Sequence, residues 1–159
     1  MEERIERAVS LFKEGYNCAQ SVVSAFADMY GLTEEQALKM SASFGGGIGR
    51  MRLTCGAACG MFILAGLETG ATRGDDREGK SANYQLVQQL AEAFKRRNGS
   101  LTCAELLGLK QPEGTPQAEA RTDQYYAKRP CSKMVEEAAR IWAEYKATIG
   151  WSVVCPPNV

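Results

Sequence analysis

Histidine is absent from this sequence, and several kinds of active site are excluded with it. A zinc enzyme site with imidazole ligands, a cysteine–histidine nucleophile pair and a Ser-His-Asp triad all need that side chain. The paired spacing Cys-x-x-Cys is also missing, which removes the thioredoxin motif and the usual zinc-ribbon ligands. A cysteine site in this protein therefore has to be assembled by the fold from separate segments.

An excess of either charge is lacking as well. Nineteen lysines and arginines balance nineteen aspartates and glutamates, so nucleic acid is not an expected partner. The longest uncharged apolar stretch, residues 55–67, is too short to cross a bilayer. The charged first residues also lack the apolar core of a signal peptide. We expect a cytoplasmic protein with no membrane insertion.

Apolar residues recur at helical spacing along most of the chain. Ile5, Ala8 and Phe12 share one face of a first helix, and glycines mark the ends of this and later helices. With 159 residues, 45% of them hydrophobic, the chain can bury a core without disulfides. We expect an all-α fold, an irregular bundle of about six to eight helices in a single domain. This domain would cover residues 1–150, and residues 151–159 would form a C-terminal tail.

Two predicted boundaries bear on the cysteines. An almost entirely apolar helix, from about residue 54 to residue 67, is predicted to be the buried central helix. Gly108, Pro112, Gly114 and Pro116 indicate a connector, and the last helix is predicted to begin near Cys131. These boundaries place two of the cysteines at the starts of long helices.

Six cysteines are present, and in a reducing compartment this number favours metal binding or redox chemistry. Four of them follow a residue that is typical of a helix start. They are Cys18, Cys55, Cys103 and Cys131, preceded by Asn17, Thr54, Thr102 and Pro130 in that order. The unpaired N–H groups and the dipole of a helix start favour thiolate, so each pKa is expected below about 8.5.

The alternative for each of these cysteines is ordinary core packing, because cysteine is a small and commonly buried hydrophobe. The same interpretation is preferred for Cys59, although it lies one turn after Cys55 and could neighbour the site. Cys155 has no capping residue before it and is interpreted as a free thiol in the tail. The four helix-start cysteines remain the candidate site.

With these residues in place, the sequence resembles the redox-active family labelled C_GCAxxG_C_C after its cysteine pattern. The resemblance covers roughly residues 16–135 and rests on Cys18, on residues 55–60 (Cys-Gly-Ala-Ala-Cys-Gly), and on Cys103 and Cys131. Residues 15–20, 44–47 and 103–108 are also similar to the family. The label has Gly-Cys-Ala where this chain has Cys-Gly-Ala, and Cys59 and Cys155 are additional. The resemblance implies a redox role for the four cysteines without implying a mechanism or a substrate.

Small residues beside the cysteines are candidates for cofactor binding. Gly56, Ala57 and Gly60 would allow the backbone to approach a metal centre or a neighbouring helix closely. Gly45, Gly46 and Gly47 could offer N–H groups to an anion or to cluster sulfides, or could form a simple interhelical turn. Arg50 and Arg52 follow this run and could hold an anion or face water. No preceding strand or following Gly-Lys-Ser/Thr supports a nucleotide site.

Three functions are consistent with this pattern. The first is electron transfer by an iron–sulfur cluster, most simply [2Fe–2S], bound by Cys18, Cys55, Cys103 and Cys131. The second is a thiol–disulfide oxidoreductase without a cofactor, in which Cys55 attacks and Cys18 is its partner. The third is a structural zinc site with four cysteine ligands. We prefer the cluster, because four similar thiols indicate one shared ligand set.

A redox function implies a redox partner protein, which the sequence does not identify. Whether the protein is an enzyme is left open, because no general acid–base pair is recognisable among its carboxylates. The sequence is also compatible with a homo-oligomer.

Overall fold

The computed structural model describes residues 1–111 and 114–150, so the C-terminal tail and Cys155 lie outside the described residues. Within these ranges the chain forms helices and no β-sheet, which confirms the predicted all-α fold. The α-helices are α1 (Glu2–Lys13), α2 (Cys18–Ser24), α3 (Glu34–Ser41), α4 (Gly56–Thr69), α5 (Arg77–Asn98), α6 (Cys103–Leu106), α7 (Asp123–Lys128) and α8 (Cys131–Ile149). Two short 3₁₀ helices cover Ala27–Tyr30 and Ala42–Phe44. None of the described helices combines the length and hydrophobicity required to cross a membrane.

The helix α4 lies at the centre and contacts α2, α5 and α8. Its small residues allow this close packing. A Cβ atom on Gly60 would lie 2.9 Å from the Cβ of Val22 and 3.1 Å from the carbonyl oxygen of Ala19, both in α2. Ala57 is fully buried in the same helix. The sequence placed this central helix two residues too early at both ends, within the usual uncertainty of helix boundaries.

The helices α4 and α8 run in the same direction. Cys55 directly precedes α4 and Cys131 begins α8, and both line one cavity. At the other end of the helices, Lys146 of α8 donates a hydrogen bond to Glu68 of α4 at 2.9 Å. Both helices therefore direct the positive end of their dipole towards the cavity.

Three of the four predicted helix starts are confirmed at the cysteine itself. Cys18, Cys103 and Cys131 are the first residues of α2, α6 and α8. Asn17 caps α2 as predicted, because its side chain accepts from the N–H of Gln20 in a capping box. The predicted cap of Cys131 is also in place, since Pro130 occupies the N-cap position of α8.

Of the two predicted threonine caps, Thr102 is confirmed as the N-cap residue of α6, and Thr54 is wrong. Cys55 itself is the N-cap residue of α4, and the Thr102 hydroxyl makes no capping hydrogen bond in α6. Thr54 and Thr102 instead pair in an isolated antiparallel bridge. The N–H groups of Cys55 and Cys103 donate across this bridge at 2.7 and 2.6 Å. The bridge holds the two cysteines next to each other.

The glycine run forms a left-handed loop over residues 45–53. Consecutive φ values are positive from Gly46 (64°) to Arg50 (62°), and again at Arg52 (61°). Hydrogen bonds within the loop fix it: the Gly49 N–H donates to residue 43 at 2.7 Å, and the Leu53 N–H to residue 47 at 2.9 Å. A left-handed conformation is costly for residues other than glycine, so the glycines relieve strain here, whereas Ile48, Arg50 and Arg52 adopt it at a cost. The loop is thus a defined turn that closes one side of the cavity.

A short helix that the sequence did not predict, α7, lies in the long connection before α8. Thr122 caps it by accepting from the N–H of Tyr125. The Tyr126 hydroxyl donates to the carbonyl of Phe12 at 3.2 Å, and the two rings meet edge to face at 5.8 Å. These contacts with α1 place the connection against the rest of the bundle, which local sequence signals do not indicate.

Candidate redox site

Four cysteine side chains from four separate segments line one cavity of about 310 Å³. They are Cys18, Cys55, Cys103 and Cys131. All four are free thiols. The fold therefore brings together the cysteines that the sequence analysis selected, although each comes from a different helix start.

Close backbone packing supports this arrangement. A Cβ atom on Gly56 would lie 2.8 Å from the Phe44 carbonyl oxygen and 3.3 Å from the Cβ of Cys18. One on Gly47 would lie 2.5 Å from the Cβ of Cys103. Any side chain at these two glycines would displace a cysteine or the backbone behind it.

The residues predicted to bind a cofactor divide into two groups. Gly45, Gly46, Gly47 and Gly56 line the cavity. Ala57 and Gly60 do not line it; they belong to the part of α4 that packs in the core. Of the two alternatives considered for Gly60, the contact with Val22 shows a close approach to a neighbouring helix.

Cys18 and Cys131 line the same cavity, and each is the largest influence on the pKa of the other. This mutual influence raises the pKa of Cys18 well above its ordinary value and lowers the pKa of Cys131 to about 7. Nearby Arg129, Arg121 and Arg52 lower the pKa of Cys131 further. The arginines thus favour a thiolate at Cys131 over one at Cys18.

The prediction that all four helix-start thiols have lowered pKa values is wrong for three of them. The thiol–thiol interaction and burial raise the pKa of Cys18, while burial raises that of Cys55 to about 12. Burial also raises the pKa of Cys103, even though Arg52 acts in the opposite direction. Loss of water around a thiolate outweighs the favourable helix terminus at these positions.

Cys59 lies behind the cavity and not in its lining. It is buried in α4, its Sγ atom is 3.9 Å from the Thr54 carbonyl oxygen, and burial raises its pKa to about 11. This environment agrees with its interpretation as a core residue.

Four arginines line the cavity, and sequence analysis identified only two of them as candidates. Arg50 and Arg52 come from the left-handed loop, and Arg121 and Arg129 from the connection before α8. Of the two arginines identified from the sequence, Arg52 does not face water, since it is only 4% exposed. Arg121 and Arg129 were missed because they follow no motif, although Arg129 stands two residues before Cys131.

Arg121 and Arg129, the arginines of the connection, contact Tyr125, and Arg129 also forms an ion pair with Glu119. Glu119 pairs with Arg129 at 2.5 Å and with Arg50 at 2.9 Å. The Arg121 guanidinium lies 4.6 Å from the centre of the Tyr125 ring, and that of Arg129 lies 5.0 Å from the same ring. The cavity wall formed by the connection before α8 is therefore a network of cations and one aromatic ring.

The four cavity cysteines are the side chains that would bind a metal group. Among the described residues, no three cysteine, aspartate or glutamate side chains are grouped closely enough to hold a single metal ion. As they stand, the four thiols are therefore not drawn together around one ion, whether zinc or an iron of a cluster. A four-cysteine set without histidine matches the ligands of an iron–sulfur cluster, and the surrounding arginines suit its negative charge.

The fold and the site define an all-helical protein with a four-thiol cavity. The family model described as "Putative redox-active protein (C_GCAxxG_C_C)" matches residues 16–145, and the chain belongs to this family. It is also similar to an "Uncharacterized protein" of Archaeoglobus fulgidus, with 30% identity over 112 residues, which is 66% of this chain and 74% of the relative. No solved structure matches this chain. The family recognised from the cysteine pattern is confirmed.

Proposed function

We propose that this protein is a thiol–disulfide redox protein in which Cys131 and Cys18 cycle between a dithiol and a disulfide. The observation that carries the proposal is that these two thiols line the same arginine-lined cavity and that each is the largest influence on the pKa of the other. Two thiols in one cavity wall can form a disulfide once their sulfurs reach bonding distance. A thiolate beside several guanidinium groups is also the reactive form of cysteine at neutral pH.

The reaction follows from the distribution of the proton. The Cys131 thiolate attacks one sulfur of a substrate disulfide, forms a mixed disulfide with it, and releases the other half as a thiolate. The Cys18 sulfur then attacks the Cys131 sulfur, and the second half leaves as a thiol with the Cys18 proton. The substrate disulfide gains two electrons and the protein loses two. A dithiol reductant returns the pair to its reduced state by the reverse exchange.

This proposal moves the attacking role from Cys55 to Cys131 and keeps Cys18 as the partner. The pKa of Cys55 is raised to about 12, so this thiol carries almost no charge near pH 7. Arg129, Arg121 and Arg52 stabilise the Cys131 thiolate. Their role is to hold the negative charge until the substrate arrives.

Oxidation followed by peptide mapping tests this pairing. We expect mild oxidation of the reduced protein to link Cys18 to Cys131 in the wild type and in Cys59→Ser, the matched control outside the cavity. Cys18→Ser should accumulate a stable mixed disulfide on Cys131 when treated with oxidised glutathione, because the resolving thiol is missing. A disulfide that joins a different pair of cysteines would refute the assignment.

A second candidate is electron transfer by an iron–sulfur cluster, most simply [2Fe–2S], held by Cys18, Cys55, Cys103 and Cys131. The observation that favours it is the cavity itself, which four thiols and four arginines line with a single carboxylate. The arginines would offset the negative charge of thiolate ligands. Such a cluster would supply one-electron transfer to a redox partner protein.

Metal analysis separates the two candidates. The protein should be purified anaerobically from its own host without added metal, and its visible spectrum, iron, acid-labile sulfide and zinc should be measured. A colourless protein without metal, with at least two titratable thiols, is expected for the dithiol. Charge-transfer bands with matching iron and sulfide would establish the cluster instead, and each of the four cysteine-to-serine variants should then lose it equally.

A further inference from the structure

The cavity has more positive than negative charge. Arg50, Arg52, Arg121 and Arg129 line it, and Glu119 is the single carboxylate in that lining. Glu119 is already shared between Arg129 and Arg50. Even with a thiolate at Cys131, two guanidinium charges are left without a counter-charge in the wall.

Arg52 carries the first of these charges. It is 4% exposed, and its Nη1 atom donates to the Cys103 sulfur at 3.9 Å. Its Nε atom is buried and has no hydrogen-bond partner among the described residues. A buried cation without an anion is costly, so a retained one indicates a negative group that binds beside it.

Arg121 carries the second charge and is held in place by aromatic rings. Its guanidinium lies 4.8 Å from the centre of the Phe12 ring and 4.6 Å from that of Tyr125. One of its terminal nitrogens donates to the Tyr16 carbonyl at 3.4 Å. The other is buried and donates to no acceptor within residues 1–111 and 114–150. The rings fix the orientation of an unsatisfied donor.

The left-handed loop adds backbone donors to the same cavity. Gly46 and Gly47 line it, and their N–H groups donate to no acceptor in the described parts of the chain. Successive N–H groups at the beginning of such a turn form a concave anion-binding surface. The N–H groups of Gly46 and Gly47 belong to the loop, whereas Arg121 and Arg129 belong to the connection before α8. The two sets of donors therefore reach the cavity from separate segments.

From this convergence we propose that the cavity is a binding site for a small substrate with at least two negative charges, held by Arg52 and Arg121 beside Cys131. This inference rests on the proposed function only for the reaction of the substrate, and binding of the anion does not depend on it. Under the dithiol mechanism, the substrate is an acidic low-molecular-weight disulfide. Neutral and cationic disulfides lack the groups that these arginines bind.

Exchange rates with matched disulfides test the selectivity. Dithiodipropionate is dianionic, hydroxyethyl disulfide is neutral, and cystamine is dicationic, while all three are of similar size. Relative to an unstructured cysteine peptide, the reduced protein should favour the dianion over the neutral disulfide by about tenfold or more at low salt. The preference should fall as salt is added. Equal relative rates for the three disulfides would overturn the proposal.

Variants assign the preference to the cavity arginines. Arg121→Gln should lose most of it, and Arg121→Lys should keep part of it because the charge remains. Glu119→Gln removes the one carboxylate and should increase the preference, an effect that simple unfolding cannot produce. Arg140→Gln is the matched control. Arg140 lies in α8, the helix that Cys131 begins, but it pairs with Glu2 and Glu136 outside the cavity.

Inorganic phosphate tests the binding site without any thiol chemistry. Calorimetric titration at low salt should show one phosphate site in the wild type and in Arg140→Gln, with affinity about tenfold lower in Arg121→Gln. Phosphate binding without disulfide exchange would leave this inference standing and refute the proposed dithiol function. Disulfide exchange through Cys18 and Cys131 without phosphate binding or charge preference would support the proposed dithiol function and refute this inference.

Discussion

At the scale of single residues, the cavity thiols differ although their sequence contexts are alike. Each of the four cysteines stands at or next to a helix start, yet only Cys131 has a lowered pKa. The difference arises because the Cys18 side chain and nearby arginines lower the pKa of Cys131, whereas burial dominates at Cys55 and Cys103. The ionisation of Cys131 can therefore be tested separately from that of the other three cysteines.

Alkylation should identify Cys131 as the thiol that ionises first. The rate of its reaction with iodoacetamide, a neutral reagent, should rise with pH around a midpoint near 7, because only the thiolate reacts and the pKa is about 7. The folded pKa lies below the unfolded value, so the ionised thiol stabilises the protein above that value, and the stabilisation is lost as pH falls through 7. Mass spectrometry of the alkylated peptides measures each site. Cys131→Ser should abolish the component near pH 7.

A second residue-scale feature lies at the far end of the parallel helices. Lys146 is fully buried, and its ammonium group donates to a Glu68 carboxylate oxygen at 2.9 Å. The Tyr30 hydroxyl donates to the same oxygen at 2.7 Å, and burial with this contact raises the Tyr30 pKa. The pair connects α4 and α8 opposite the cavity.

Removal of one partner of this pair should destabilise the fold. Lys146→Met should lower the free energy of unfolding by about 3 kcal/mol, because Glu68 would remain as a largely buried charge without its cation. Urea denaturation measures the loss. The double variant Lys146→Met/Glu68→Gln should recover much of it, and no recovery would contradict the charge argument. Redox cycling should be unchanged, since Lys146 is about 20 Å along α8 from Cys131.

At the scale of elements, α4 needs a small residue where it meets α2. A Cβ atom on Gly60 would be forced against Val22, whereas one on Gly66 would meet nothing within 4 Å. The two glycines lie in the same helix, so helix propensity affects both alike. Their comparison isolates the contact between α2 and α4, which positions Cys18 against the rest of the site.

Alanine at these two glycines should have opposite effects. Gly60→Ala should destabilise the protein by about 1–3 kcal/mol through overpacking against α2. Gly66→Ala should stabilise it by up to about 1 kcal/mol, because the position is exposed and alanine favours a helix. Thermal and chemical unfolding of both variants provide the measurement. A loss of equal size at both positions would show that the α2–α4 contact does not require glycine.

At the scale of the whole molecule, the proposed disulfide would join the first part of the chain to the last helix. Cys18 begins α2 and Cys131 begins α8, and these helices pack against each other directly. A cross-link between them closes a loop of about 110 residues, which restricts the unfolded chain strongly. The redox state of the site is thereby coupled to the stability of the entire fold.

Oxidation should therefore raise the stability of the protein. We expect the oxidised wild type to unfold at a higher temperature than the reduced form, with a gain of up to about 4 kcal/mol. Differential scanning calorimetry of both states gives the shift. Cys18→Ser should show no such difference, and a lower Tm on oxidation of the wild type would mean that the disulfide distorts the native packing.

The sequence predicted much of the fold and part of the site. Helical periodicity indicated the all-α bundle, and capping residues placed Cys18, Cys103 and Cys131 at or near the starts of their helices. These features are local, because capping and periodicity depend on neighbours in the chain. The helix α7 was missed, since its six residues are held by contacts with α1 that only the folded chain provides.

The sequence by itself determined the chemistry that is available: thiols without histidine, a balanced charge, and helices that begin at cysteines. Only the tertiary structure decided that Cys18 and Cys131 line one cavity and that Arg52 and Arg121 are among the arginines of that cavity. The physical reason is distance along the chain. Burial, pairing and the direction of a pKa shift are set by groups from remote segments, which the packing of α2, α4 and α8, the left-handed loop and the connection before α8 bring together.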